Sequence, residues 1–211
     1  MSGIFDLLKS DMGQTIIRGV ADQTGENTET TNDLLSVAIP VLMQAMKRNT
    51  SSPQGAKGLY NALDKHDGSI LDDVSGLFEG GVNPSFINDG EKILGHIFGN
   101  KQQNVTKALS HKSGINYDNV AQILKVAAPI VMALIGKKSR EQNINDPSDL
   151  SVLLNQLLPG SSSSHQHSLL EAFLDADGDG SIADDVAGLF FGNSKNKGGL
   201  GGLLDGLFGK K

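Results

Sequence analysis

No cysteine occurs among the 211 residues. Disulfide staples, thiol nucleophiles and thiolate metal sites are therefore excluded, while the redox compartment stays open, because exported and cytosolic proteins alike can lack cysteine. Tryptophan is also absent and only two tyrosines are present. Apolar mass must come from Leu, Ile, Val and Ala, a composition suited to a helical core of modest size. No basic region precedes an apolar run at the start of the chain, where Asp6 and Asp11 fall too early for a secretory signal. No stretch approaches the length of a membrane span; the longest apolar segments, near 37–43 and 126–135, have the length of core-helix segments. A cytoplasmic location is the resulting expectation. A basic surplus is missing as well: 18 Lys and Arg face 24 Asp and Glu, a formal charge of -6. That argues against generic nucleic-acid binding, which needs a basic footprint.

Catalytic signatures are equally scarce. There is no HExxH, no GxSxG, no P-loop, and no GxGxxG placed between a strand and a helix. Of the five histidines, His66 stands beside Asp67 and close in sequence to Asp72 and Asp73, where a carboxylate could orient an imidazole. His165 and His167 lie in a serine-rich stretch whose composition suits a linker better than a metal site. No residue is assigned a catalytic role.

What the chain does contain is internal similarity. "VADQTGENTETTNDLLSVAIPVLMQAM" (20–46) lies over "LSHKSGINYDNVAQILKVAAPIVMALI" (109–135) without a gap, matching Gly25 to Gly114, Asn27 to Asn116, Pro40 to Pro129 and Met43 to Met132. Each unit reads as a helix, a glycine turn and a second helix. Gly25 and Gly114 suit the left-handed C-cap position. Asn32 or Asp33, and Asp118 or Asn119, offer oxygens at the next helix start. Val120, Ile123, Leu124, Ala127, Ile130 and Val131 recur at helical spacing. Pro40 and Pro129 fall inside these helices, where each clashes with the carbonyl four residues back, at Ser36 or Lys125, and predicts a kink or a split into two shorter helices.

A second repeat pairs "HDGSILDDVSGLFEGG" (66–81) with "GDGSIADDVAGLFFGN" (178–193). Both read as a turn followed by a short amphipathic helix. Ile70, Val74, Leu77 and Phe78 share one face, and Ile182, Val186, Leu189 and Phe190 the other copy's face. Ser69 with Asp72, and Ser181 with Asp184, have capping-box spacing. Two helical turns are marginal alone, so these faces must dock on something.

The expected organisation follows. Residues 1–140 form an all-α domain of duplicated helical units with proline-kinked core helices. Residues 141–167 add a short helix, opened by Pro147 with Asp146 as its cap, and a Ser-rich linker. Residues 168–192 form a small helix–loop–helix appendage, and 193–211 a Gly-rich tail carrying Leu203, Leu204, Leu207 and Phe208. The helices with central proline, "DLLSVAIPVLMQAM" and "QILKVAAPIVMALI", with "DGSILDDVSGLF" between them, resemble the bacterial domain of unknown function numbered 937 over roughly residues 5–140. That resemblance implies a bacterial, all-helical domain. It carries no catalytic residues to transfer.

The strongest candidate site is a calcium loop in the appendage. In "DADGDGSIADDV" Asp175, Asp177 and Asp179 occupy positions 1, 3 and 5 of an EF-hand or dockerin-type loop, Gly180 the turn at 6, and Ser181 position 7 through its carbonyl. Position 12, where a bidentate Glu should close the shell, is Val186, leaving Asp185 as the substitute ligand. Ca2+ bound there would be structural, ordering 168–192 by neutralising crowded carboxylates. The competing reading is an acidic turn that caps a helix. At the same alignment the first copy has Leu63 and Lys65 in place of Asp175 and Asp177, so calcium is not expected there. The function expected is non-enzymatic, through protein contacts or self-association. The rivals are a membrane-surface module using the Leu/Phe tail, and an enzyme whose site is assembled from scattered residues.

Overall fold

The computed structural model describes residues 8–158. Among them the fold is all-α, without a strand. Helices α1 (Asp11–Thr24) and α2 (Thr28–Asn49) are followed by α3 (Pro53–Leu63), the five-residue α4 (Val74–Phe78) and α5 (Pro84–Phe98). Then come α6 (Gln102–Ser113), α7 (Tyr117–Glu141) and α8 (Leu150–Leu157). Short 3-10 turns precede α4, α6 and α8.

Helix ends follow local chemistry. Gly25 and Gly114 close α1 and α6 in the left-handed conformation, at φ 71° and 74°, as their sequence position predicts. The following helices begin earlier than expected. Asn27 Oδ1 accepts from the Thr30 amide at 2.7 Å and Asn116 Oδ1 from the Asn119 amide at 2.9 Å. These asparagines, not Asn32, Asp33, Asp118 or Asn119, are the N-caps, because in both units the chain turns helical directly after the glycine turn. Ser52 and Asn83 cap α3 and α5 ahead of a proline in the first turn, where its missing N–H costs nothing. Asp146 caps the turn before α8 through the Ser148 amide.

The core is built on α2 and α7, which pack against each other. Leu35, Ala38, Val41, Leu42 and Met43 on α2, and Ile123, Val126, Ala128 and Ile135 on α7, are fully buried. Each helix runs unbroken through its proline. Helices α1 and α6 both touch both core helices, as do α3 and α8. Helix α8 contributes Leu150, Leu153, Leu154 and Leu157 to the interior.

The α5–α7 crossing is the most extensive. A side chain on Gly90 of α5 would place its Cβ 1.8 Å from the Lys125 carbonyl oxygen. That carbonyl is the one Pro129, four residues on, cannot bond. The glycine thus lets α5 lie directly over the gap in the α7 ladder, where a Cα–H can face the freed oxygen. A second close approach occurs at Gly136, whose Cβ would meet the His66 carbonyl.

Helix α7 also corrects one expectation. Its 25 residues are long and apolar enough, by length and composition, to cross a bilayer, although most of its apolar stretch is buried among neighbouring helices. Lys125 and Gln122 interrupt the run when read by residue type, yet they do not shorten the helix.

Candidate functional site

The best-defined polar region among the described residues is the acidic turn between α3 and α4, the first copy of the repeated motif. Its apolar face is carried by two pieces rather than by the one short amphipathic helix expected: a 3-10 turn at Ser69–Leu71, then α4. The break falls at Asp72 and Asp73 because Asp73 leaves the helical region, at φ -137° and ψ 67°, to cap α4. Its Oδ1 accepts from the Gly76 amide at 2.9 Å. Asp67 Oδ1 accepts from the Ser69 amide at 2.9 Å, and hydrogen bonds from the Ser69 hydroxyl and amide hold its carboxyl below the ordinary value. Ser69 and Asp72 therefore do not form the expected capping box. Asp67 and Asp73 do that work, and Asp72 instead meets Lys137 of α7 at 3.4 Å.

The motif is seated by its apolar side. Leu71 and Val74 are buried, while Ile70, Leu77 and Phe78 are half-buried against the core. The Phe78 ring lies on Gly19 of α1, where a Cβ would overlap it at 2.3 Å. Gln23, one turn on along α1, accepts from the Val82 amide at 3.1 Å. Gly68, at φ 89°, sits against Ala133 and Lys137 of α7.

His66 does not reach Asp67, Asp72 or Asp73. Its Nε2 lies 3.4 Å from Asp89 of α5, and the imidazole is only 15% exposed. On the other flank of Gly90, Glu91 accepts from Lys125 of α7 at 2.8 Å and from Gln102 of α6 at 3.0 Å. The Lys125 bond, then the Gln102 bond, hold the Glu91 carboxyl below its ordinary value. Asp89 and Glu91 carry no signal in the sequence. They acquire partners only because α5 crosses α7 at Gly90.

A nearby concavity of about 360 Å³ is lined by Tyr60, Asp64, Ser139, Arg140, Asn143 and Asn145. The Arg140 guanidinium donates to the Leu63 carbonyl at 3.4 Å, and Asn145 donates to the Asn143 carbonyl at 3.0 Å. Arg140 and Asn145 thus hold backbone turns in place. No three His, Asp or Glu side chains converge as metal ligands among the described residues. The predicted ligands Asp175, Asp177, Asp179, Ser181 and Asp185 lie outside the described residues. Their aligned positions in the first copy are described: Leu63 is buried, Lys65 is exposed, and Asp67 and Asp73 are committed to backbone amides.

Fold and polar chemistry together define a helical core domain whose acidic turn is a packing element. The chain belongs to the family described as bacterial protein of unknown function (DUF937), whose model matches residues 6–138. No curated protein and no solved structure matches the chain.

Proposed function

We propose that the protein is a non-enzymatic helical scaffold that acts through protein contacts, principally with further copies of itself. The supporting observation is the use made of its chemically capable groups. Asp67 and Asp73 cap turns, Asp72 and Glu91 tie helices to α7, His66 meets Asp89, and Arg140 holds the Leu63 carbonyl. Groups that a catalyst would aim at a substrate are spent here on rigidity, which suits a module that presents a surface. The tail supplies Leu203, Leu204, Leu207 and Phe208 for an apolar contact.

Calcium enters this reading as a structural ion of Asp175, Asp177, Asp179, Ser181 and Asp185, ordering 168–192 on binding. Two of those five align with the capping carboxylates of the first copy, so coordination would have to draw Asp179 and Asp185 away from such caps. The distinctive ligands are Asp175 and Asp177.

Sedimentation velocity of the full chain and of a chain ending at 197, over a hundredfold range of concentration, tests the contact reading. Association is expected in the full chain and weakened in the shorter one. Monomers at every concentration would reject self-association. Co-sedimentation of the full chain, but not the shorter one, with liposomes would transfer the tail to the membrane reading. Calorimetric titration of the full chain tests the ion: absence of heat at millimolar calcium removes it from the proposal.

A further inference from the structure

We infer that residues 178–192 dock on the outer face of α6 and the end of α2, in the way that residues 66–80 dock on α1 and the end of α7. The argument starts from packing. Helices α1 and α2 share with α6 and α7 a glycine C-cap, an asparagine N-cap and an internal proline at matching positions. Their contacts correspond too: α1 and α6 each touch both core helices, and α3 and α8 do the same on the other side. An approximate two-fold relation between α1–α3 and α6–α8 accounts for this exchange of roles. It also assigns a mate to every surface position. Continuing the gapless alignment, Thr15, Gly19 and Gln23 on α1 correspond to Asn104, Ala108 and Lys112 on α6, and Lys137 corresponds to Arg48.

The first seat is occupied. Phe78 covers Gly19, Gln23 accepts from Val82, and Lys137 meets Asp72. The chain contains one further copy of the occupying motif, with Asp184 aligned to Asp72 and Phe190 to Phe78. A five-residue helix gains too little from its own hydrogen bonds to persist unseated. The second copy repeats the apolar face through Ile182, Val186, Leu189 and Phe190, so it needs an equivalent floor. Ala108 stands on α6 where Gly19 stands on α1, larger by one methyl.

Charge agrees with this floor. The second seat is more basic than the first: Lys112 replaces Gln23, Lys101 replaces Met12, and Arg48 keeps the charge of Lys137. Arg48 and Lys101 line one concavity of about 300 Å³ at the end of α2. The second motif is acidic in turn: Asp179, Asp184 and Asp185 lie within it, and Asp175 and Asp177 stand just before it, where the first copy has Leu63 and Lys65. Acidic motif and basic seat are complementary. Reach is no obstacle: the residues between Leu158 and Asp184 could span roughly 80 Å at about 3.3 Å each when extended.

The absence of cysteine makes the test direct. In the full chain, with calcium chelated, the pair Lys137→Cys with Asp72→Cys serves as the control and Arg48→Cys with Asp184→Cys as the probe. Each is treated with a short bifunctional maleimide at low protein concentration. Intramolecular linkage of the probe pair is expected at a yield within about twofold of the control, unchanged on dilution. Linkage of the control alone, or linkage of the probe only between chains, would overturn the proposal. Hydrogen exchange of the unsubstituted chain decides independently of whether the variants fold. The 184–190 amides are expected to exchange more than about tenfold slower than free peptide, as amides of docked elements do; free-peptide rates there would also overturn it.

Discussion

At the scale of single residues, two glycines of α5 have opposite duties. Gly90 stands where any Cβ would strike the Lys125 carbonyl, while at Gly95 nothing lies within 4 Å. Alanine at 90 must push α5 off α7, and such overpacking costs about 1–3 kcal/mol. Alanine at 95 meets no obstacle and removes helix-disfavouring backbone freedom, worth roughly 0.5–1 kcal/mol. Urea denaturation of Gly90→Ala and Gly95→Ala should therefore show shifts of opposite sign from the same chemical change. The sequence did not distinguish these positions. Both belong to "GEKILGHIFGN", and the spacing of glycines along one helix says nothing about where another helix crosses it. By contrast, Gly25 and Gly114 were readable because a C-cap is a local event, set by the chain on either side.

At the scale of elements, Glu91 joins three helices: its own α5, α7 through Lys125 and α6 through Gln102. Its carboxyl titrates below the ordinary 4.5 in the folded chain, so the unfolded chain takes up the proton first as pH falls. The stabilisation is complete above the unfolded value near 4.5 and disappears as pH drops through the lower folded value. The side chain is 48% exposed, so water screens the pair and the effect is roughly 0.2–1 kcal/mol. Glu91→Gln should be less stable than the parent at pH 7, with the gap closing as pH falls through the lowered folded value of Glu91 and added salt narrowing it at pH 7. A difference that persists at low pH would show that shape rather than charge does the fastening. Helix ends were legible at α1 and α6 from Gly25 and Gly114, and the start of α8 from Asp146 and Pro147 to within a few positions. The 70–79 segment was not, because Asp72 and Asp73 are adjacent and only the seated structure reveals that the second leaves the helix to cap it.

At the scale of the whole molecule, the matched family segment ends at 138, yet buried packing continues to Leu157. Helix α8 places four leucines against α2, α3 and α7. Full burial of each is worth about 1.5–3 kcal/mol, which together rivals the roughly 5–15 kcal/mol that holds an ordinary domain folded. A chain cut after Glu141 should lose its cooperative thermal transition by circular dichroism, whereas one cut after Leu158 should keep it. Equal melting of both would mean that α8 is an accessory. The all-α class was plain in the sequence because helical spacing of apolar residues is strong in 117–141. The depth at which α8 sits was not, since eight residues carry the same pattern whether they cover a core or complete it. The buried apolarity of α7 has a consequence for synthesis. Ribosomes release the chain from its N-terminus, so α1 to α6 have all emerged before α7 arrives. The described segment that most resembles a membrane span meets a prepared protein surface on leaving the tunnel, and among the described helices α8 alone follows it.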